Sequence, residues 1–253
     1  MSTKSNSSDH LKGKRILVSG GSRGLGQSLC LDFASQGADV AFCYSSDEES
    51  ANETLQLINS CGVKGLGFKI SVADKQAVQI MVKDIIADWG SLDVLVNNAG
   101  VSQSMPLALM EEEDWDSLFD INLKGIYLLT RAVLKGMVRE RQGVILNVGS
   151  LAGTRMIEAP VHYCSSKAAI KGFTESLAKE LGRYNIRVNC IAPGLLEQGV
   201  ATNLPATQLN EYLSQLALGR VGKLREVSAL ARFMISDRNT AMTGSTILID
   251  GGF

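Results

Sequence analysis

The chain has 253 residues, 45% of them hydrophobic and 20% charged, with a net charge of -1 at pH 7. That content supports a sizeable core, and the near-balance of charge gives no reason to expect a general nucleic-acid or membrane-binding surface. No apolar run approaches the roughly 20 residues needed to span a bilayer, and the five cysteines contain no Cys-x-x-Cys pair, which argues against a disulfide framework or a metal site.

In chain order, residues 1–12 read as a disordered tail: Met1 to His10 is Ser-rich and lacks the apolar core of a signal peptide, which makes the cytoplasm the default location. A single domain is expected over 13–253. Arg15 to Ser19 reads as a buried strand entering a glycine-rich turn, Gly20 to Gly26, after which Leu25, Leu29 and Phe33 recur at helical spacing. Strand, glycine turn and helix together suit a dinucleotide: glycines allow positive φ and close approach of a pyrophosphate, and the helix presents its positive end to that anion. Strand-like runs follow at Asp39 to Tyr44, Gly65 to Ile70, Asp93 to Asn97, Gly143 to Val148, Arg187 to Ile191 and Thr246 to Asp250. Between the third and fourth strands, Val78, Met81, Val82, Ile85, Ile86 and Trp89 mark an amphipathic helix. The acidic run Glu111 to Asp116 reads as a helix start, where negative charge complements the dipole. Alternation of this kind predicts an α/β fold: a Rossmann-type, doubly wound parallel sheet of about seven strands with helices on both faces, its ligand lying along one sheet edge.

The most informative side chains come later. Tyr163 and Lys167 are four residues apart and share a helix face, so an ammonium can lie beside a phenol and stabilise its phenolate. Ser150, thirteen residues before Tyr163, is placed to orient a carbonyl. An ordinary surface contact is the alternative for any such Tyr and Lys pair, and the glycine turn is what favours chemistry.

From about Lys14 to Phe253 the chain resembles the short-chain dehydrogenase/reductase family. Gly20, Gly24 and Gly26 match its glycine turn, Asn97 Asn98 Ala99 Gly100 its element after the fourth strand, and Asn122, Ser150, Tyr163 and Lys167 its catalytic tetrad. Pro193 Gly194 matches the turn beside the nicotinamide, and Thr243 Gly244 with Asp250 Gly251 Gly252 its closing segment. Ser22 Arg23 Gly24 Leu25 Gly26, Asp120 Ile121 Asn122 Leu123 and Leu218 Gly219 Arg220 are most similar to the 3-oxoacyl-[acyl-carrier-protein] reductase group.

The resemblance implies an oxidoreductase in which Tyr163 gives the proton, Lys167 lowers its pKa and holds the nicotinamide ribose, Ser150 binds the substrate oxygen and Asn122 helps to hold a water near the lysine. Cofactor contacts are expected from Gly20, Ser22, Arg23, Gly24, Leu25, Gly26, Val72, Asn98, Ala99, Gly100, Tyr163, Lys167, Pro193 and Gly194. At the end of the second strand, Tyr44 Ser45 Ser46 offers no carboxylate for a ribose hydroxyl, and Arg23 stands ready for a phosphate, so NADP(H) is the expected cofactor. Two features oppose this simple picture: Asp47, Glu48 and Glu49 follow closely, and Ser71 departs from the family's Asp or Asn before Val72.

The expected substrate is a 3-oxoacyl thioester under a mobile lid at 195–216, with another ketone or alcohol (polyketide, sugar or steroid) as the alternative and a nucleotide sensor as the remote one. His162 is read as lid packing or a substrate contact. Arg139, Arg141, Lys179 and Arg183 are candidates for a basic entrance that would receive acyl carrier protein, with ordinary solvated charge as the other reading. A homotetramer is expected, assembled through helices around 114–138 and 163–182 and the last strand. Cys30, Cys43, Cys61 and Cys190 read as packing residues, while Cys164, beside Tyr163, is the one open to a redox role.

Overall fold

The computed structural model describes residues 11–199 and 204–253. Seven strands, β1 (Arg15–Ser19), β2 (Asp39–Tyr44), β3 (Gly65–Lys69), β4 (Val94–Asn97), β5 (Gly143–Val148), β6 (Ile186–Pro193) and β7 (Thr246–Ile249), form one sheet in the order β3-β2-β1-β4-β5-β6-β7. Every pairing is parallel. The expected fold is the observed one.

Side-chain alternation along each strand builds two cores from one sheet. Ile16, Val18, Val40, Phe42, Leu146 and Val148 point to the face covered by α1 (Gly24–Ser35), α2 (Glu48–Ser60) and α8 (Leu224–Ile235). Leu17, Ala41, Leu95, Ile145 and Val188 point to the other, covered by α3 (Lys75–Trp89), α5 (Gly125–Glu140) and α6 (Val161–Leu181). The predicted helix over Val78 to Trp89 is α3, with Val78, Met81, Val82 and Ile85 buried. Asp74 starts it, its carboxylate accepting the N–H groups of Gln76 and Ala77.

Packing begins earlier than the sequence boundary. Leu11 is fully buried in the first core, so the domain takes in residues 11 and 12; a single apolar residue after a polar run carries no periodicity to reveal this. The rest of the predicted tail lies outside the described residues, as do residues 200–203 of the predicted lid. The remainder of that segment contains α7 (Ala206–Ser214) and is tied down at several points. Leu195 N–H donates to the Tyr212 hydroxyl at 3.1 Å, and the Tyr212 ring stacks on Phe253 at 5.4 Å. Gly251 and Gly252 carbonyls accept from Leu218 and Ala217. The closing glycines thus clasp the chain immediately after this segment. Among the described residues no helix is long and apolar enough to cross a membrane.

The strand order reverses between β1 and β4, where consecutive connections leave in opposite directions and a crevice opens at the strand ends.

Candidate active site

The glycine turn begins the site. Gly20 and Gly24 have φ of +68° and +57°, and a Cβ on Gly26 would stand 1.8 Å from the Gly20 carbonyl oxygen. Only hydrogen at position 26 lets α1 start this close to the end of β1. The Thr54 hydroxyl of α2 donates to the Ser22 carbonyl at 3.0 Å, bracing the turn from the side.

Across the crevice, the segment after β4 is held by a residue that the sequence analysis treated only as strand. The Ser19 hydroxyl oxygen accepts the N–H groups of Asn98 and Ala99, each at 3.0 Å. Asn98 Nδ2 in turn donates to the carbonyls of Ser19 and Gly20 at 3.0 and 3.1 Å. A Ser closing an apolar strand immediately before Gly20 was the available signal. Beneath this loop, Asn97 donates to Asn147 at 2.8 Å and Asn147 to Thr174 at 2.9 Å, a buried polar chain linking β4, β5 and α6.

A cleft of about 340 Å³ results. Of the predicted cofactor residues, Gly20, Ser22, Arg23, Leu25, Gly26, Tyr44, Ser45, Ser46, Val72, Asn98, Ala99 and Gly100 line it; Gly24, Pro193, Gly194, Tyr163 and Lys167 do not. Cys43, Asp47, Ile70, Ser71, Val101 and Ile121 also line it. Ser71 therefore reaches the cleft despite its departure from the family pattern, although its hydroxyl oxygen also accepts Ala73 N–H at 3.3 Å. Asp47 turns inward as well, whereas Glu48 pairs outward with Lys69 at 2.8 Å. The positive-φ turn and the cradle that any Cβ at position 26 would fill fit a nucleotide pyrophosphate.

Tyr163 and Lys167 share one face of α6, the ammonium nitrogen 5.8 Å from the centre of the phenol ring. Lys167 is buried and donates to the Val148 carbonyl at the end of β5 at 3.0 Å. It also approaches the loop after β4, since a Cβ on Gly100 would lie 3.5 Å from its nitrogen and 3.3 Å from Asn122 Oδ1. Ser150 follows β5, its hydroxyl oxygen accepting Ala152 N–H at 3.2 Å, which leaves the hydroxyl proton to donate elsewhere. Gly153 is a residue sequence reasoning passed over. Its Cβ would meet the Lys167 backbone carbonyl carbon at 2.4 Å, so its lack of a side chain lets the Ser150 turn seat directly on α6.

Asn122 is fully buried in a π-helical turn, Asp120–Lys124, inserted between α4 (Glu112–Phe119) and α5. Its Oδ1 accepts Val101 N–H at 2.8 Å, and its Nδ2 donates to the Val101 carbonyl at 3.0 Å and to Ser166 at 3.2 Å. Both amide protons are committed to protein. Asn122→Ala should cost about 1–3 kcal/mol in urea unfolding, because it removes two hydrogen bonds to the Val101 backbone and one to Ser166; an unchanged midpoint and slope would remove Asn122 as the brace of this loop.

Of the two readings of His162, packing is the observed one, and the expectation of a basic entrance is corrected. His162 is fully buried with neither ring nitrogen hydrogen-bonded, so it presents no surface to substrate. Arg139, Arg141, Lys179 and Arg183 lie before the starts of β5 and β6, at the opposite end of the sheet from Ser150. Arg139 and Arg141 precede β5, whereas Ser150 follows it, and Lys179, in the last turn of α6, and Arg183, in the 3-10 turn Gly182–Tyr184 after it, lie roughly 24 to 30 Å from Tyr163 at 1.5 Å per helical residue. They form no entrance to the cleft of their own chain. Arg139 pairs with Glu140, and Arg141 donates to the Arg183 carbonyl. All five cysteines are free, and burial raises the Cys164 thiol above its ordinary value, which works against a reactive thiolate. The same cause pushes Cys43 up to about 11.

Residues 20–253 match a family model described as enoyl-(acyl carrier protein) reductase. A 3-oxoacyl-[acyl-carrier-protein] reductase of Chlamydia muridarum is 37% identical over 242 residues, 96% of this chain and 98% of that protein. The chain belongs to the short-chain dehydrogenase/reductase family. The reductase of the same name from Thermotoga maritima is 36% identical over 96% of this chain and 98% of its own. Among solved structures, a 3-oxoacyl-[acyl-carrier protein] reductase from Brucella melitensis superposes with a TM-score of 0.90 at 30% identity, covering 97% of this chain and 93% of that one. An NAD+-bound xylitol dehydrogenase reaches the same TM-score at 27% identity, covering 96% and 99%. Membership of this family makes the chain an oxidoreductase acting on CH–OH and C=O groups.

Proposed function

We propose that this short-chain dehydrogenase/reductase reduces a 3-oxoacyl thioester, linked to acyl carrier protein or coenzyme A, to the 3-hydroxyacyl thioester with NADPH, in fatty acid or polyketide-type biosynthesis in the cytoplasm. The observation that carries the chemistry is the convergence of Tyr163 and Lys167 on one face of α6, with the lysine drawn to the end of β5 that leads to Ser150. The substrate class follows the relatives named above.

A bound nicotinamide supplies hydride. The Ser150 hydroxyl donates to the carbonyl oxygen and fixes its direction. The Tyr163 phenol donates the proton as that oxygen gains charge, and the neighbouring ammonium of Lys167 stabilises the phenolate left behind. Asn122 keeps the Val101 loop against α6, and with it the wall that Gly100 gives to the lysine. Pro193 and Gly194 close the site at the end of β6, where a Cβ on Gly194 would meet the Tyr212 hydroxyl at 2.7 Å.

For NADP(H), the supporting features are Arg23, 77% exposed at the cleft, and the absence of any carboxylate from residues 44–46. NADPH oxidation with a short 3-oxoacyl thioester tests the whole reading, run beside NADH. Arg23→Ala should weaken NADPH about 10- to 100-fold more than NADH, the loss expected for charge-assisted hydrogen bonds to phosphate; equal effects on both cofactors would remove the NADP(H) assignment. The likeness to the xylitol dehydrogenase supports a second reading, in which the same groups act on another alcohol or ketone. Turnover confined to such compounds in a carbonyl panel would establish it. An apolar groove between the π-helical turn, α5 and α6, lined by Phe119, Leu123, Tyr127 and Phe173, supports the homotetramer, which light scattering on the purified chain measures directly.

A further inference from the structure

Among the described residues lining the cleft there is one cation, Arg23, and one anion, Asp47. Arg23 Nη1 lies 3.7 Å from Asp47 Oδ2, with the arginine side chain 77% exposed and the aspartate 31%. The two are held very differently. Asp47 is the N-cap of α2: its Oδ1 accepts Ser50 N–H at 3.1 Å and its Oδ2 accepts the Ser50 hydroxyl at 2.8 Å. Those bonds hold its carboxyl below the usual range, so it is charged under ordinary conditions. Arg23 has only a long, solvent-exposed ion pair to restrain it here and can swing toward another anion. The next cation along the rim, Lys69, is already paired with Glu48 at 2.8 Å.

We propose that Asp47 is a specificity-determining residue which competes with the adenosine 2'-phosphate for Arg23, and so holds discrimination between the phosphorylated and unphosphorylated dinucleotide below what Arg23 alone would give. The inference rests on the NADP(H) reading above. A phosphate monoester brings a charge of about -1.5 to -2 into a site whose lining carries no net charge. It must share one guanidinium with a carboxylate that α2 keeps in place, and it is repelled by that carboxylate. A free 2'-hydroxyl meets neither effect.

Calorimetric titration of the full-length apo protein with adenosine 2',5'-bisphosphate and with 5'-AMP isolates the phosphate without requiring turnover. Asp47→Asn and Asp47→Ser both keep a side-chain acceptor for the α2 cap while removing the charge, and their melting temperatures verify that α2 is intact. Each should tighten the bisphosphate about fivefold at low ionic strength, less at 0.5 M salt, and change 5'-AMP by under about twofold. An unchanged bisphosphate affinity in both variants, or equal tightening of both probes, overturns the proposal. Arg23→Ala separates the two layers of argument. If it abolishes the preference for bisphosphate while the Asp47 variants do nothing, only the role of Asp47 falls. If the wild type shows no preference and Arg23→Ala alters neither affinity, the NADP(H) reading fails and takes this proposal with it.

Discussion

Tyr163→Phe is expected to lower kcat by about 10³-fold, within the range that a positioned general acid contributes, while the dissociation constant for NADPH stays within about threefold of wild type. The substitution removes one oxygen and leaves the ring, so the 5.8 Å contact between Lys167 and the aromatic face persists. Lys167 also keeps its bond to the Val148 carbonyl, which anchors it independently of the phenol. Steady-state turnover together with fluorescence titration of the cofactor separates the two quantities. Retained turnover would transfer the proton donor to another group, and a collapse of cofactor affinity would mean that Tyr163 serves binding rather than chemistry.

The second large effect is expected from the smallest change. Gly26→Ala places a methyl carbon 1.8 Å from the Gly20 carbonyl oxygen and 2.7 Å from Asn98 Nδ2. Neither neighbour can retreat cheaply. Gly20 is backbone at the end of β1, and Asn98 Nδ2 is committed to the Ser19 and Gly20 carbonyls. The turn must open, at a cost of about 3 kcal/mol or more, and cofactor affinity should fall by at least about 100-fold because the cradle and the α1 terminus move apart. Gly136→Ala is the matched control. This glycine lies inside α5 with nothing within 4 Å of the added methyl, so stability should rise by about 0.5–1 kcal/mol through helix propensity alone. Urea unfolding of both variants gives the comparison, and equal behaviour would refute the steric account of the turn.

How far the site could be read in advance depends on whether a residue's role is local. The strand runs were legible because apolar residues cluster between turns, and β5 runs from Gly143 to Val148 as expected. Tyr163 and Lys167 were legible because a helix fixes what lies four residues away. Ser19 and Gly153 were not: one acts on Asn98 and Ala99 across the crevice, the other on the backbone of α6, and neither partner is near in sequence. The basic residues Arg141 and Arg183 show the converse failure. They meet before the starts of β5 and β6, with Arg141 donating to the Arg183 carbonyl, but the direction of β5 and the length of α6 carry them away from Ser150 and Tyr163.

By itself the sequence determined the α/β class, the parallel strands in their right places, the glycine turn and the helical pairing of Tyr163 with Lys167, because hydrophobic period and short-range geometry are written within a dozen residues. Only the tertiary structure decided that Asp47 turns toward Arg23, that Asn122 spends its amide on Val101 and Ser166, that His162 is sealed from the cleft, and that Leu11 belongs to the core. Each of those depends on which elements become neighbours in the folded sheet and its covering helices. A hydrogen bond or an ion pair responds to distances of tenths of an ångström, and it is the packing of distant segments that sets them.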